Sequence, residues 1–205
     1  MINNKEEYLK MDEVESKHWW YVSLHCLTLK TIQNKFNFLD VSILDAGCGT
    51  GGLLSFLKRK KYHVLQGFDV SNEAVNIAKS KEINVKAGDL KQYKFNGIFY
   101  DVIVSNDTMY FFNLKEQKSI LSEFHKSLNV NGVVILNLPS FNIFKGIHDR
   151  AVGIQKRFDR KMVIKMIDRS KYEIVEKVYW PFLLSPIIFL IVFLQKIQLK
   201  INKRV

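Results

Sequence analysis

Cysteine is scarce in this chain: Cys26 and Cys48 lie far apart, and neither shares metal-ligand spacing with a histidine. That excludes a disulfide-stapled scaffold and a zinc ribbon, predicts no bound metal, and suits a reducing, cytoplasmic setting. Proline is rare too, with three residues, and no Pro-, Gly- or Ser-rich tract or internal repeat divides the sequence. The roughly 20-residue apolar run that spans a bilayer is missing. No charged-then-apolar leader opens the chain, since MINNKEEYLKMDEVE is polar and partly acidic. Acidic residues are in deficit, twenty against thirty-one basic, for a formal charge of +11. An anionic partner, nucleic acid or membrane, is one reading of that charge. A lysine-rich composition is the other, and it takes the bulk of the charge: only six basic residues are arginine, and lysines fall on almost every expected surface face.

What the chain does have is a core. Of its 205 residues 47% are hydrophobic and 25% charged, enough for one folded domain and too apolar for bulk disorder. Short β-branched runs alternate with amphipathic stretches. Strands are predicted over Ser42–Asp45, His63–Phe68, Asn84–Ala87, Asp101–Ser105, Gly132–Leu138 and Tyr172–Trp180. VIV (102–104) and VVILNL (133–138) are nearly continuous apolar runs, as in parallel strands covered on both faces. Helices are predicted over Gly52–Lys60, over Asn72–Ser80 behind Ser71, over Leu114–Leu128 behind Asn113 with Glu116, and over Arg160–Ile167 behind Asp159. One or two more are expected within residues 5–35. This alternation implies an α/β fold with a doubly wound, mostly parallel sheet. Three regions result: an N-terminal helical lid (1–38), an α/β domain (39–180) and an apolar-basic C-terminal helix (181–205).

SILDAGCGTGG (42–52) stands where a strand turns into a helix. Gly47, Gly49 and Gly51 let the backbone turn tightly and approach a ligand, and the helix N-terminus offers free N–H groups. The same letters fit the dinucleotide pattern GxGxxG, so the glycines alone leave the cofactor open. Asp45 would set an anion against a pyrophosphate, but the opposite charge against a sulfonium and an ammonium. It can also cap the loop by accepting backbone N–H bonds. Asp69 ends the second strand in LQGFDVS, placed to accept both hydroxyls of a ribose across the strand ends. Asp89 of GDL (88–90) follows the third strand within reach of an adenine amino group. In YDVIVSNDTMYFF (100–112), Ser105, Asn106 and Asp107 border the place for a cofactor's reactive end.

In order and spacing, LDAGCGTGG, GFDVS, GDL and DVIVSNDTMYF resemble the class I S-adenosylmethionine-dependent methyltransferases. The resemblance covers roughly residues 40–138. It implies a Rossmann-like fold and S-adenosyl-L-methionine as cofactor, with Gly47, Gly49 and Gly51 approaching its methionine part. Asp69 would hold the ribose, Asp89 and Leu90 would border the adenine, and Ser105 would lie near the methionine amino group. ESKHWWY (15–21) and FKGIHDRAVGIQKRFDRKMV (144–163) are similar to segments of small-molecule methyltransferases related to the quinone-biosynthesis group. Two departures stand out. Arginines that often follow the aromatic pair are replaced by Val22, Ser23, Leu24 and His25, and no candidate for the usual seventh, antiparallel strand follows Trp180.

Transfer from a sulfonium rests mainly on alignment, and a base is needed only when the acceptor's proton must leave. His148, beside Asp149, is the first candidate base; Tyr110 and His18 follow. A loop histidine that merely packs is the plainer reading. Trp19, Trp20 and Tyr21 suit a lid over the cofactor, or simple packing. SNDTMY (105–110) lacks the proline of nucleic-acid amino-methyltransferases, and no Pro-Cys nucleophile is present, so a small-molecule or lipid-like acceptor is expected rather than nucleic acid.

In YWPFLLSPIIFLIVFLQKIQLKINKRV (179–205), Ser185 and Pro186 start a helix that is apolar all round to Leu194. Lys196, Lys200, Lys203 and Arg204 follow. A peripheral anchor on an anionic membrane, a cover for the open sheet edge and a homodimer contact all fit this pattern. Two further functions compete with methyl transfer: an NAD-dependent oxidoreductase on the same glycine loop, and a non-catalytic protein keeping the fold.

Overall fold

The computed structural model describes residues 5–95, 97–154, 156–181 and 184–202. In chain order its elements are α1 (Lys5–Glu15), α2 (Trp19–Lys35), β1 (Ile43–Ala46), α3 (Gly52–Arg59), β2 (Leu65–Asp69), α4 (Asn72–Ser80), β3 (Val85–Ala87), β4 (Tyr100–Asn106), α5 (Leu114–Lys126), β5 (Leu128–Asn137), α6 (Ile147–Ala151), α7 (Arg160–Met166) and α8 (Ser185–Asn202). The strands form one sheet in the order β3-β2-β1-β4-β5, every neighbouring pair parallel. The chain runs outward from β1 to β3, then returns to the other side of β1 to lay down β4 and β5. The C-terminal ends of β1 and β4 therefore flank the switch point, where ligands bind in such sheets.

Strand residues alternate between two cores. Ile43, Val102 and Val104 join Leu29 and Ile32 of α2, Leu54 and Leu57 of α3, and Val75 and Ala78 of α4 on one face. Leu44, Ala46, Phe68 and Ile103 join Ile120, Leu121 and Phe124 of α5 and Met166 of α7 on the other. Helix starts follow their capping residues. Ser71 Oγ accepts from Ala74 N, Asp159 caps α7 through Met162 N, and Asn113 with Glu116 forms the expected capping box on α5. The N-terminal stretch breaks into two helices, with His18 capping α2 by accepting from Trp20 N at 3.3 Å.

One expected strand does not form. Residues 172–179 are irregular, although their sequence alternates as a strand's would. Period-2 patterning specifies a face but no partner, and this segment lines a cleft opposite β5 without pairing to it. β5 is consequently the sheet edge among the described residues, and Gly132–Leu138 is half-buried where coverage on both faces was expected. No strand follows Trp180 among the described residues; α8 comes instead. Phe182, Leu183, Lys203 and Arg204, which belong to the apolar-basic C-terminal pattern, lie outside the described residues.

Candidate active site

The loop after β1 folds back onto the end of β2, with Gly47 N and Cys48 N both donating to Phe68 O at 2.9 and 3.0 Å. Gly47, Gly49 and Gly51 have φ of +90°, +53° and +81°. A Cβ on Gly47 would strike Thr108 and approach Leu90, so the turn requires glycine both for its left-handed backbone and for space. Asp69, at the end of β2, accepts from Gly49 N and Ser71 N, each at 2.9 Å. A carboxylate has about four lone-pair sites, so these bonds leave capacity for a ligand. Burial pushes its pKa up, with the backbone N–H bonds opposing.

Asp45 is the most isolated acid here. It is 3% exposed, and its carboxyl finds no hydrogen-bond partner among the described residues. Burial first, then Glu15 and Asp69, push its pKa up to about 8. Asn106 Oδ1, at the facing end of β4, is likewise buried without a partner among the described residues. Two acceptors without donors thus flank the switch point, the arrangement that a cationic, hydrogen-donating ligand satisfies.

Helix α1 lies across this loop. Glu15 accepts from Thr50 Oγ1 at 2.6 Å and sits so close to Gly52 that any Cβ there would collide with its carboxylate. The N-terminus of α3 is therefore covered by an acid from another helix, a favourable pairing with the helix dipole. Lys81 of the α4 C-cap ties the assembly together: it pairs with Asp12, lies 3.9 Å from Glu15 and donates to Thr50 O at 2.8 Å. Met11 reaches over Gly49. The first residues of α2 complete this wall: Trp20 packs on Trp180, ring centroids 4.5 Å apart, and Tyr21 lines the cleft.

On the far side of β4, Asp107 takes a left-handed φ of +51° and accepts from Asn137 Nδ2 at 2.9 Å. Burial raises its pKa to about 6 against Asn137 and Arg157. Tyr110 stands near it, its pKa raised by burial and then by Asp107. Asp149 is 1% exposed and spent on structure, accepting from Arg157 Nε and Nη2 at 2.7 and 3.2 Å and from Gly146 N at 2.8 Å. Those bonds hold its carboxyl below the ordinary range despite burial. His148 precedes it in α6; its side chain lies outside what the structure describes. Ser105 is fully buried: it donates to Ala46 O at 3.1 Å and is hydrogen-bonded to Thr108 Oγ1. Asn106, Asp107 and Thr108 line the cleft beyond it, and Asp89 and Leu90 line it beside the glycine loop. One continuous cleft of about 1590 Å³ joins all of these to the groove between β5 and residues 171–180.

Residues 43–132 match a family model described as a methyltransferase domain. Over that span the chain carries a methyltransferase domain. It is 31% identical over 104 residues to a carboxy-S-adenosyl-L-methionine synthase of Campylobacter jejuni, covering 48% of this chain and 44% of that protein. It is 27% identical over 129 residues to a malonyl-[acyl-carrier protein] O-methyltransferase of Priestia megaterium, covering 60% and 46%. The chain thus spans less than half the length of these curated relatives. Among solved structures, DesVI of Streptomyces venezuelae superposes with a TM-score of 0.58 at 17% identity, over 71% of this chain and 62% of that one. A magnesium protoporphyrin IX methyltransferase of Synechocystis, solved with S-adenosylhomocysteine, gives 0.56 at 18% identity over 70% and 69%.

The structure also gives places to residues whose role no local pattern announces. Glu15 is an acid at a helix end facing a glycine loop, a signal that needs the packing of α1 to be seen. Thr108 against Gly47 is equally a tertiary fact. His25, which follows the aromatic entry, is a core residue packed 5.6 Å from Phe56 and drawn down to about pKa 4 by burial and then Arg59.

Proposed function

We propose that this methyltransferase domain binds S-adenosylmethionine and transfers its methyl group to a small, lipid-like or membrane-associated acceptor. The observation that carries the reading is the pair of unfilled acceptors, Asp45 and Asn106, at the switch point beside Asp69. Asp69 would receive the ribose hydroxyls, Leu90 and Asp89 would border the adenine, and Asp45 with Asn106 would hold the ammonium end. When bound, the cofactor supplies a methyl group already activated on sulfonium. The protein's part is then to align the acceptor, exclude water beneath α1, Trp20 and Tyr21, and take a proton at Asp107 or His148 when the acceptor is protic. Tyr110, kept protonated by burial and Asp107, would serve as a hydrogen-bond donor and not as the base. A pyrophosphate would oppose ionisation of Asp45 and leave Asn106 Oδ1 without a donor, which weighs against a dinucleotide. The names of the relatives, an O-methyltransferase for an acyl carrier substrate and one of ubiquinone biosynthesis, support a non-nucleic-acid acceptor. The domain would act in the cytoplasm, alone or as a homodimer.

The test supplies methyl-labelled S-adenosylmethionine with small-molecule and lipid extracts. Label in a discrete organic-soluble or small polar product is expected. Label found only in nucleic acid, or nowhere, contradicts the reading.

A further inference from the structure

The charge of +11 is not spread along the chain. Residues 1–140 hold seventeen Lys and Arg against fifteen Asp and Glu, whereas residues 141–205 hold fourteen against five, so +9 of the total belongs to the last third. The same third exposes apolar surface. Helix α8 turns Ile188, Val192 and Gln195 toward the body, where Val192 and Gln195 meet Gly146. Around the rest of the helix Ile187, Leu190, Ile191, Phe193 and Leu194 are 50–58% exposed. Beside it Phe141, Ile147 and Tyr179 are exposed as well; the turn Asn142–Phe144 contacts α8, and the Phe141 and Tyr179 rings lie 5.2 Å apart. An apolar patch of this extent marks an interaction surface.

We propose that α8, with Phe141, Ile147 and Tyr179, docks the protein on an anionic lipid bilayer. Charge complementarity selects the occupant. A second copy would bring like charge to like charge, whereas anionic headgroups attract each Lys and Arg near the surface. Nucleic acid would meet the charge but leave the apolar helix in water. No helix among the described residues is long and apolar enough to cross a membrane, so α8 lies in the plane of the interface with its apolar sides in the acyl boundary. Ile188, Ile191 and Val192 also line the cleft, so the docked face is continuous with the acceptor's route to the site. Docking itself does not rest on the methyl-transfer reading.

The full chain is floated with vesicles of phosphatidylcholine alone and of equal parts phosphatidylcholine and phosphatidylglycerol, at low and high salt. Flotation with the mixed vesicles, lost with neutral ones and weakened by salt, is expected. L190E with L194E should abolish it; both residues are exposed, and an unchanged melting temperature verifies the fold. K196Q with K200Q should weaken it roughly tenfold or more. Equal flotation with neutral vesicles overturns the proposal, as does full flotation of the double Glu variant. So does a chain that ignores vesicles but dimerises through Leu190 and Leu194 in sedimentation, or that binds duplex DNA instead.

Discussion

Asp45 decides what charge the ligand may carry. Burial, then Glu15 and Asp69, push its pKa up to about 8 in the free protein, which favours the neutral carboxyl, and a bound cation favours the ionised form. Binding of S-adenosylmethionine below pH 8 must therefore release a proton, and affinity should rise with pH, by up to about tenfold per unit, before levelling above 8. Calorimetry in buffers of different ionisation enthalpy measures that proton, and Asp45→Asn should bind weakly with no pH slope. A flat profile in the wild type would remove Asp45 from the site. For Asp69→Ala we expect a loss of about 1–3 kcal/mol in affinity for S-adenosylhomocysteine, the cost of deleting a partner for buried hydroxyls. Unchanged affinity would place the ribose elsewhere. Both acids were legible in the sequence because they sit at strand ends fixed by local pattern. Ser105 was equally visible at the end of β4, yet its burial and the engagement of its hydroxyl by Ala46 O and Thr108 Oγ1 are tertiary facts.

The elements around the site carry their own consequences. α1 is fastened by Glu15 to Thr50 and by Asp12 to Lys81, and its contact with α4 is ionic as much as apolar. Lys81→Met should loosen it, seen as faster proteolysis near Ser16–His18 while the sheet core stays intact; an unchanged cleavage rate would mean that Met11 and Tyr8 suffice. The α2–α3 contact is pH-sensitive through His25. With a folded pKa near 4 against an ordinary 6.5, the unfolded chain binds the proton first, so stability drops as pH falls from 6.5 toward 4. The loss is about 3 kcal/mol at most. His25→Phe, which keeps a ring against Phe56, should flatten the melting temperature across that window. Helix boundaries were readable because caps are local: Ser71, Asn113 and Asp159 each accept a hydrogen bond from within their own helix's first turn. The strand expected over 172–180 failed for the opposite reason, since pairing requires a partner that no local pattern names.

Across the whole molecule two halves divide the work. The first 140 residues are nearly charge-balanced and hold the glycine loop and all five strands. The last third concentrates basic charge and exposed apolar side chains. The sheet and its ligand end could be read from alternation and from one loop. The cleft's continuation along β5, and the cover that α1 places over the loop, could not, because both arise from segments distant in sequence. The central claim is that the site at the β1–β4 switch point is built for an adenosyl-methionine ligand and not for a dinucleotide. Parallel calorimetric titration of the full chain with S-adenosylhomocysteine and with NADH tests it most directly. Saturable binding of S-adenosylhomocysteine, weakened in Asp69→Ala, with no heat from NADH, is the predicted result; saturable NADH binding with S-adenosylhomocysteine inert would contradict it.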